Sequence, residues 1–350
     1  MEGRTSLTRL PLLFLMGMAV WGTASGQQVG FSGPVEGYTF DPPTASLRAV
    51  AGYPGAASFG PALLSGLEFG SAAPQQNYAV AFQNGNCVLV TSLSGTVATQ
   101  SVPAVTRRPD GVVWSADGSV AVLYSRAAGW LQTLSLLPGN PTAGAYVDLS
   151  ALGGTLASVA VDGKGKQVAV AMQGAAAGLY LMTASGSFAP VLQLANPVAL
   201  AFSNAGTELV AIDTASMQLA VVNLSSFDFQ MASLAGLADP FAVREDTNQK
   251  LYVASRSDRL LREYDLATLQ PMTDLPLSFT PTGIEQFGPN SFLVGSRMLA
   301  TDPLWLLTNV AQPAAYFVPA IPQAIGRGRG AAVAPATPAP ISPVSEGHAR

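Results

Sequence analysis

The chain has 350 residues, of which 49% are hydrophobic and only 11% charged, with a formal net charge of −4. Its one histidine, His348, and one cysteine, Cys87, exclude a His-centred triad, a multi-His metal site, an internal disulfide and a Cys-based zinc or iron–sulfur centre. The acidic balance excludes the basic footprint of a general nucleic-acid binder, and the apolar content suffices for a large core.

Residues 1–26 read as an address. Arg4 and Arg9 precede an apolar run from Leu10 to Trp21, and Ala24-Ser25-Gly26 supplies small residues for cleavage before Gln27. The run is shorter than the ~20 residues that span a bilayer as a helix. A signal peptide is therefore expected, with the mature chain exported to the periplasm or outside the cell and no membrane span after its removal. Cys87 lies in the strand-like NCVLVTSL and is expected to be an inert core thiol.

From residue 36 onward, short runs of β-favouring residues alternate with Gly, Asn, Asp, Ser and Pro clusters. A weak copy of a repeat comes first, YTFDPPTASLRAVAG, with Phe40 to Leu47 aligned to Phe202 to Leu209. Segments starting at Tyr78, Val120, Val168, Leu209, Leu251 and Phe292 each read strand, turn, strand, at spacings of 42, 48, 41, 42 and 41. A shorter apolar strand precedes most of them and a fourth strand follows. Four antiparallel strands per ~40–45 residues is the period of a β-propeller blade, so an all-β propeller is expected over residues 27–318. Shared equally, those residues give about 42 per blade for seven blades and about 49 for six. The spacing favours seven, with six as the competing parse. The first copy is one strand short, and a strand from the other terminus is expected to complete it and close the ring. Asp117-Gly118, Asp162-Gly163 and Asn84-Gly85 are expected to supply the positive-φ positions of tight hairpins. Ala121, Ala169, Ala171, Ala201 and Ala211 are expected at the crowded end near the axis. Residues 319–350, rich in Pro, Ala and Gly, read as a flexible tail.

KLYVASRSDRLLREYDLATLQ, from Lys250, resembles the YVTN-type repeat. AFSNAGTELVAID and VWSADGSVAVLYS resemble the Phe-Ser-Pro-Asp-Gly turn of WD-repeat-like and TolB-like bacterial propellers. The resemblance covers most of residues 36–318 and speaks to architecture alone. It admits lactonases, quinoprotein-like subunits, surface-layer proteins and purely binding propellers, and the expected signal peptide sets the chain in the bacterial envelope or outside the cell.

No G-x-S-x-G, Walker loop, His-Glu-x-x-His or EF-hand loop is present, and no catalytic, cofactor or metal residue is nominated. Glu245, Asp246, Asp258, Glu263 and Asp265 read as solvated charges on repeat edges. Asp117, Asp162 and Asp213 read as turn residues. The expected function is a non-catalytic scaffold for a protein partner or an acidic small molecule or glycan, without nucleic acid. The alternative is a lactonase-like or quinoprotein-like enzyme using polar residues of the channel. In the repeat alignment, the turn between second and third strands carries Gln83, Arg126, Gln173, Thr214, Arg256 and Arg297, and the connection before Val112 adds Arg107 and Arg108. These five arginines are expected on one face, where they suit carboxylates or phosphates. Asp117, Asp162, Glu208 and Asp246 belong to the other face.

Overall fold

The computed structural model describes residues 34–288, 291–308 and 312–321. The expected signal peptide and nearly all of the expected tail lie outside them. Among the described residues no helix is long and apolar enough to cross a membrane.

Each alternating run becomes a strand, and consecutive strands pair antiparallel into seven separate sheets. The first sheet holds β1 (Val35–Asp41), β2 (Ser46–Ala51) and β3 (Ser58–Ser65). The second holds β4 (Phe69–Ala72), β5 (Tyr78–Gln83), β6 (Asn86–Thr91) and β7 (Ala98–Ser101). The third holds β8 (Gly111–Trp114), β9 (Ala121–Ser125), β10 (Trp130–Ser135) and β11 (Thr142–Asp148). The fourth holds β12 (Gly154–Val161), β13 (Val168–Gly174), β14 (Gly178–Met182) and β15 (Phe188–Gln193). The fifth holds β16 (Pro197–Phe202), β17 (Glu208–Asp213), β18 (Gln218–Asn223) and β19 (Phe229–Ser233). The sixth holds β20 (Pro240–Glu245), β21 (Lys250–Ser255), β22 (Leu260–Asp265) and β23 (Pro271–Pro276). The seventh holds β24 (Glu285–Gly288), β25 (Ser291–Gly295), β26 (Leu304–Thr308) and β27 (Ala314–Val318). The chain is a seven-bladed β-propeller.

The middle strands are almost wholly apolar because each sheet is covered on both faces by its neighbours. Val210, Ile212, Leu219 and Val221 of sheet 5 pack with Val243, Leu251 and Val253 of sheet 6. Polar side chains add links between sheets. Trp114 Nε1 donates to Ser71 Oγ at 2.8 Å, Tyr78 Oη to the Gly118 carbonyl at 2.9 Å, and Gln173 Nε2 to the Pro197 carbonyl at 2.9 Å. The outermost strands face solvent, which is why β7 and β19 are polar or mixed.

Several local expectations change. Asn84-Gly85 and Gly118 do adopt positive φ, but in the third hairpin the positive value falls on Gly165 rather than Gly163. A Cβ at Gly165 would lie 2.2 Å from Val120, so close packing of two sheets fixes that glycine as well as its dihedral. Ala121, Ala169, Ala171 and Ala211 sit on second strands, packed between sheets, and of the five only Ala201 lies on a first strand. Glu245, Asp246 and Glu263 are buried rather than solvated. Glu245 accepts from the Asn204 amide of sheet 5 at 2.6 Å, Asp246 accepts from the Lys250 amide at 3.0 Å, and Glu263 pairs with Lys250 at 2.6 Å.

The ring closes differently from the expected strand exchange. Among the described residues sheet 1 keeps three strands, and β27 pairs with β26 of its own sheet. The direction of sheet 1 is also reversed relative to the repeat alignment. The Leu67 amide, at the entrance to sheet 2, donates to the Ala45 carbonyl, and Ser46 is registered with Ser65 at the end of β3. The turn between β1 and β2 therefore lies on the face that carries the β9–β10 and β25–β26 turns. Phe40 to Leu47 thus does not correspond to Phe202 to Leu209, although both read strand, turn, strand. Side chains join the first and last sheets. Val50 and Ala57 pack against Phe287, Leu304, Leu306 and Val318. Arg297 Nη1 pairs with Asp41 Oδ1 at 2.8 Å, and Tyr316 Oη donates to Glu36 Oε1 at 3.2 Å.

Cys87 is 1% exposed between sheets 2 and 3, and burial pushes its thiol up to about 12. Almost no thiolate then exists at neutral pH. Native protein should not react with a disulfide reagent, and denatured protein should yield one equivalent. Rapid labelling of the native chain would contradict this burial.

Candidate functional site

First strands β4, β8, β12, β16, β20 and β24 surround an open cavity of about 660 Å³. Most inward positions carry small or aliphatic residues: Ser71, Val113, Ala160 and Ala201. At the equivalent position β20 carries Arg244, and the start of β24 carries Glu285. The rim comprises Arg126, Asn196, Thr214, Asp239, Arg256 and Thr282.

The turns at the rim are built by carboxylates. Asp110 accepts from Ser125 Oγ at 2.9 Å and from the Arg126 amide at 3.0 Å, fixing the β9–β10 turn. Asp258 accepts from the Ala238 amide and from Ser255 Oγ, joining the β21–β22 turn to the chain entering β20. Asp213 accepts from the amides of Ala195, Asn196 and Ala215 and from Ser216 Oγ. Ser125-Arg126 and Ser255-Arg256 therefore each have a structural half and an exposed half: the serine hydroxyl braces the turn, and the arginine is left at the cavity rim.

The five arginines expected on one face separate into three groups. Arg126 and Arg256 line the cavity. Arg256 lies 4.0 Å above the Phe241 ring and 3.5 Å from Asp239. Arg107 stacks 4.2 Å from the Tyr146 ring and donates to its hydroxyl, away from the cavity on the side of outer strand β11. Arg108 is exposed and does not line the cavity. Arg297 is not a surface residue at all. It is 2% exposed, paired with Asp41, and donates through Nε to the Asp302 carbonyl at 2.7 Å.

Tyr124, Arg244 and Glu285 were not nominated from the sequence. Tyr124 belongs to second strand β9, yet it lines the cavity by passing over Gly111 of β8. A Cβ at Gly111 would lie 2.4 Å from the phenol oxygen, so the absent side chain is what admits the ring. Burial raises the Tyr124 pKa, an effect that Arg126 opposes and Glu285 reinforces. Glu285 lines the cavity with its side chain exposed to that open space, and desolvation by the protein around the cavity raises its pKa against the pull of Arg244 and Arg126. Burial lowers the Arg244 pKa, with Glu285 and Glu245 acting the other way. Among the described residues neither Arg244 nor Glu285 has a hydrogen bond or a close ion pair.

Gly111→Ala tests the window directly. The clash falls on the far end of a side chain that can rotate, so the fold should survive with less than about 1.5 kcal/mol lost. Tyr124 should leave the cavity, visible as a change in tyrosine fluorescence or ring NMR shifts. An unmoved Tyr124 ring would show that the glycine does not govern it.

No family model and no curated protein matches the sequence. Solved structures do. Streptogramin B lyase superposes with a TM-score of 0.52 at 12% identity, covering 72% of this chain and 85% of the lyase. The Cps50 (Swd1) β-propeller domain of Myceliophthora thermophila gives 0.54 at 11% identity, covering 73% and 87%. A functionally unknown protein from Desulfotomaculum acetoxidans gives 0.52 at 11% identity, covering 69% and 78%. The likeness is one of fold. These propellers share the architecture expected from the repeat, and the chemistry of the cavity belongs to this chain's own residues.

Proposed function

We propose that this chain is an exported, non-catalytic binding propeller, and that its central cavity holds an acidic ligand or an acidic group of a partner. The observation that carries the reading is the lining of one 660 Å³ cavity by three guanidiniums, those of Arg126, Arg244 and Arg256. Asp239 already stands against Arg256, which leaves Glu285 as the carboxylate inside. An excess of positive charge in a protein-walled space favours carboxylate or phosphate, and guanidinium binds either through two parallel hydrogen bonds. The enzymatic alternative asks for converging carboxylates, and the two at the cavity are divided between rim and wall.

Calorimetry with N-acetyl-leucine and inorganic phosphate at low salt tests the seat. Arg126→Ala with Arg256→Ala should weaken whichever anion binds by about ten- to a hundredfold, since a hydrogen bond to a charged group contributes about 1.5–3 kcal/mol. Anion binding indifferent to both substitutions, or mapped to the face of Asp117 and Asp162, would overturn the assignment. Export rests on the sequence of residues 1–26. Protein recovered from the periplasm or medium should begin near Gln27 by N-terminal sequencing, and an intact Met1 in cytosolic protein would refute it.

A further inference from the structure

The cavity presents both signs of charge without satisfying either. Arg244 and Glu285 stand on adjacent first strands, at the end of β20 and the start of β24. Arg126 and Tyr124 enter from sheet 3, and both feel Glu285. Opposite charges facing one cavity attract, and more strongly than in bulk water where protein walls displace solvent. No ion pair joins Arg244 to Glu285 among the described residues, although they stand on first strands of neighbouring sheets. A bound group that bridges them would satisfy both at once. A plain anion would satisfy the arginines and leave its charge facing Glu285.

We propose that the cavity selects a small zwitterion, with a carboxylate held by Arg244 and Arg126 and an ammonium held by Glu285 beside the Tyr124 hydroxyl. This rests on the reading of the cavity as a ligand seat. Val112, Val198, Met217 and Phe241 supply apolar wall for the body of such a molecule. The cavity is large enough for a short peptide, since pockets of ~300–1,000 Å³ enclose drug-sized ligands.

The test uses leucine, leucylleucine and trileucine, each beside its N-acetylated and its C-amidated form, titrated into the full-length protein. A zwitterion of one of these lengths should bind at least tenfold tighter than both blocked counterparts. Glu285→Gln should erase the advantage over the acetylated form without weakening the acetylated form. The pH response separates the cases further. Protonating Glu285 removes a repulsion from a plain anion and an attraction from an ammonium. Binding of the acetylated peptide should therefore tighten as pH falls through the raised Glu285 value, and zwitterion binding should weaken. The other charged and titratable groups facing the site are Arg126, Arg244, Arg256 and Tyr124, with Asp239, Asp110 and Glu245 as the neighbouring carboxylates. Acetylated peptides that bind as tightly as zwitterions at every length, or an advantage that survives Glu285→Gln, would overturn the zwitterion while leaving the anion seat standing. If neither a carboxylate-bearing probe nor inorganic phosphate binds, both fall.

Discussion

Replacing Arg297 with alanine should lower stability by about 3–5 kcal/mol, the usual cost of removing one partner from a buried ion pair. In a chain of this size that corresponds to a fall of roughly 6–10 °C in Tm. The Asp41 carboxylate has no side-chain exposure and stands between Arg297 at 2.8 Å and Arg48 at 3.3 Å. Without Arg297 it keeps one guanidinium and loses its own link from sheet 1 to sheet 7. The carbonyls of Ala300 and Asp302 lose their donor in the same step. Pairing Arg297→Met with Asp41→Leu should damage the protein less than the two single effects summed, because the Arg297–Asp41 pair is removed as a unit and Arg48 keeps the Thr44 hydroxyl and the Gly60 carbonyl. Differential scanning calorimetry of wild type, Arg297→Ala, Arg297→Met, Asp41→Leu and the Met/Leu double variant measures this. An unchanged Tm in the Arg297→Ala protein would show that the ring does not depend on the pair.

Asp213→Ala should cost about 3–4 kcal/mol, since four donors lose a charged acceptor in one place. Asp213 is 3% exposed, and burial alone would raise its pKa. The donors from Asn196, Ser216, Ala195 and Ala215 outweigh that and hold the carboxyl below its usual range. A lowered folded value means that the stabilisation is fully present above the unfolded value of about 3.9 and is lost as pH falls through the folded one. The gap between wild type and Asp213→Ala should therefore stay constant from neutral pH down to about pH 4 and close below it. Urea denaturation at a series of pH values reads this gap. A gap that narrows already between neutral pH and about pH 5 would mean that Asp213 is not the group responsible. Asn196 and Thr214 line the cavity, so the same substitution should also loosen one side of its rim.

The propeller was legible because its information is local and repeated. Each hairpin declares itself through two apolar runs and a polar turn, and copies at near-constant spacing reinforce one another. Arg126 and Arg256 were legible for the same reason, as equivalent positions in aligned turns. Arg297 occupies the third such position and does something else, because its partner Asp41 is 256 residues away and no local pattern joins them. The reversal of sheet 1 was hidden by symmetry in the pattern. A strand, a turn and a strand read alike whichever face the turn is on. Arg244 and Glu285 were passed over because one charge beside a turn resembles a solvated edge. A charge at the inward position where sibling strands carry Ser71, Val113, Ala160 or Ala201 was the available signal. Tyr124 offered less, since its route past Gly111 depends on a residue of a neighbouring strand.

A propeller whose first and last sheets share a strand can open only by tearing a ladder of main-chain hydrogen bonds. Here, among the described residues, no strand ladder joins sheets 1 and 7, which meet through side chains and a close approach of Glu36 and Gly37 to Phe287 and Gly288. Sheet 1 can therefore peel from sheet 7 with every main-chain ladder of both sheets intact. Amide hydrogen exchange should register that motion as one cooperative unit covering residues 35–65, with an opening energy below that of global unfolding. Such a segment is also the natural last piece to dock during folding, since its neighbours can complete their own sheets without it.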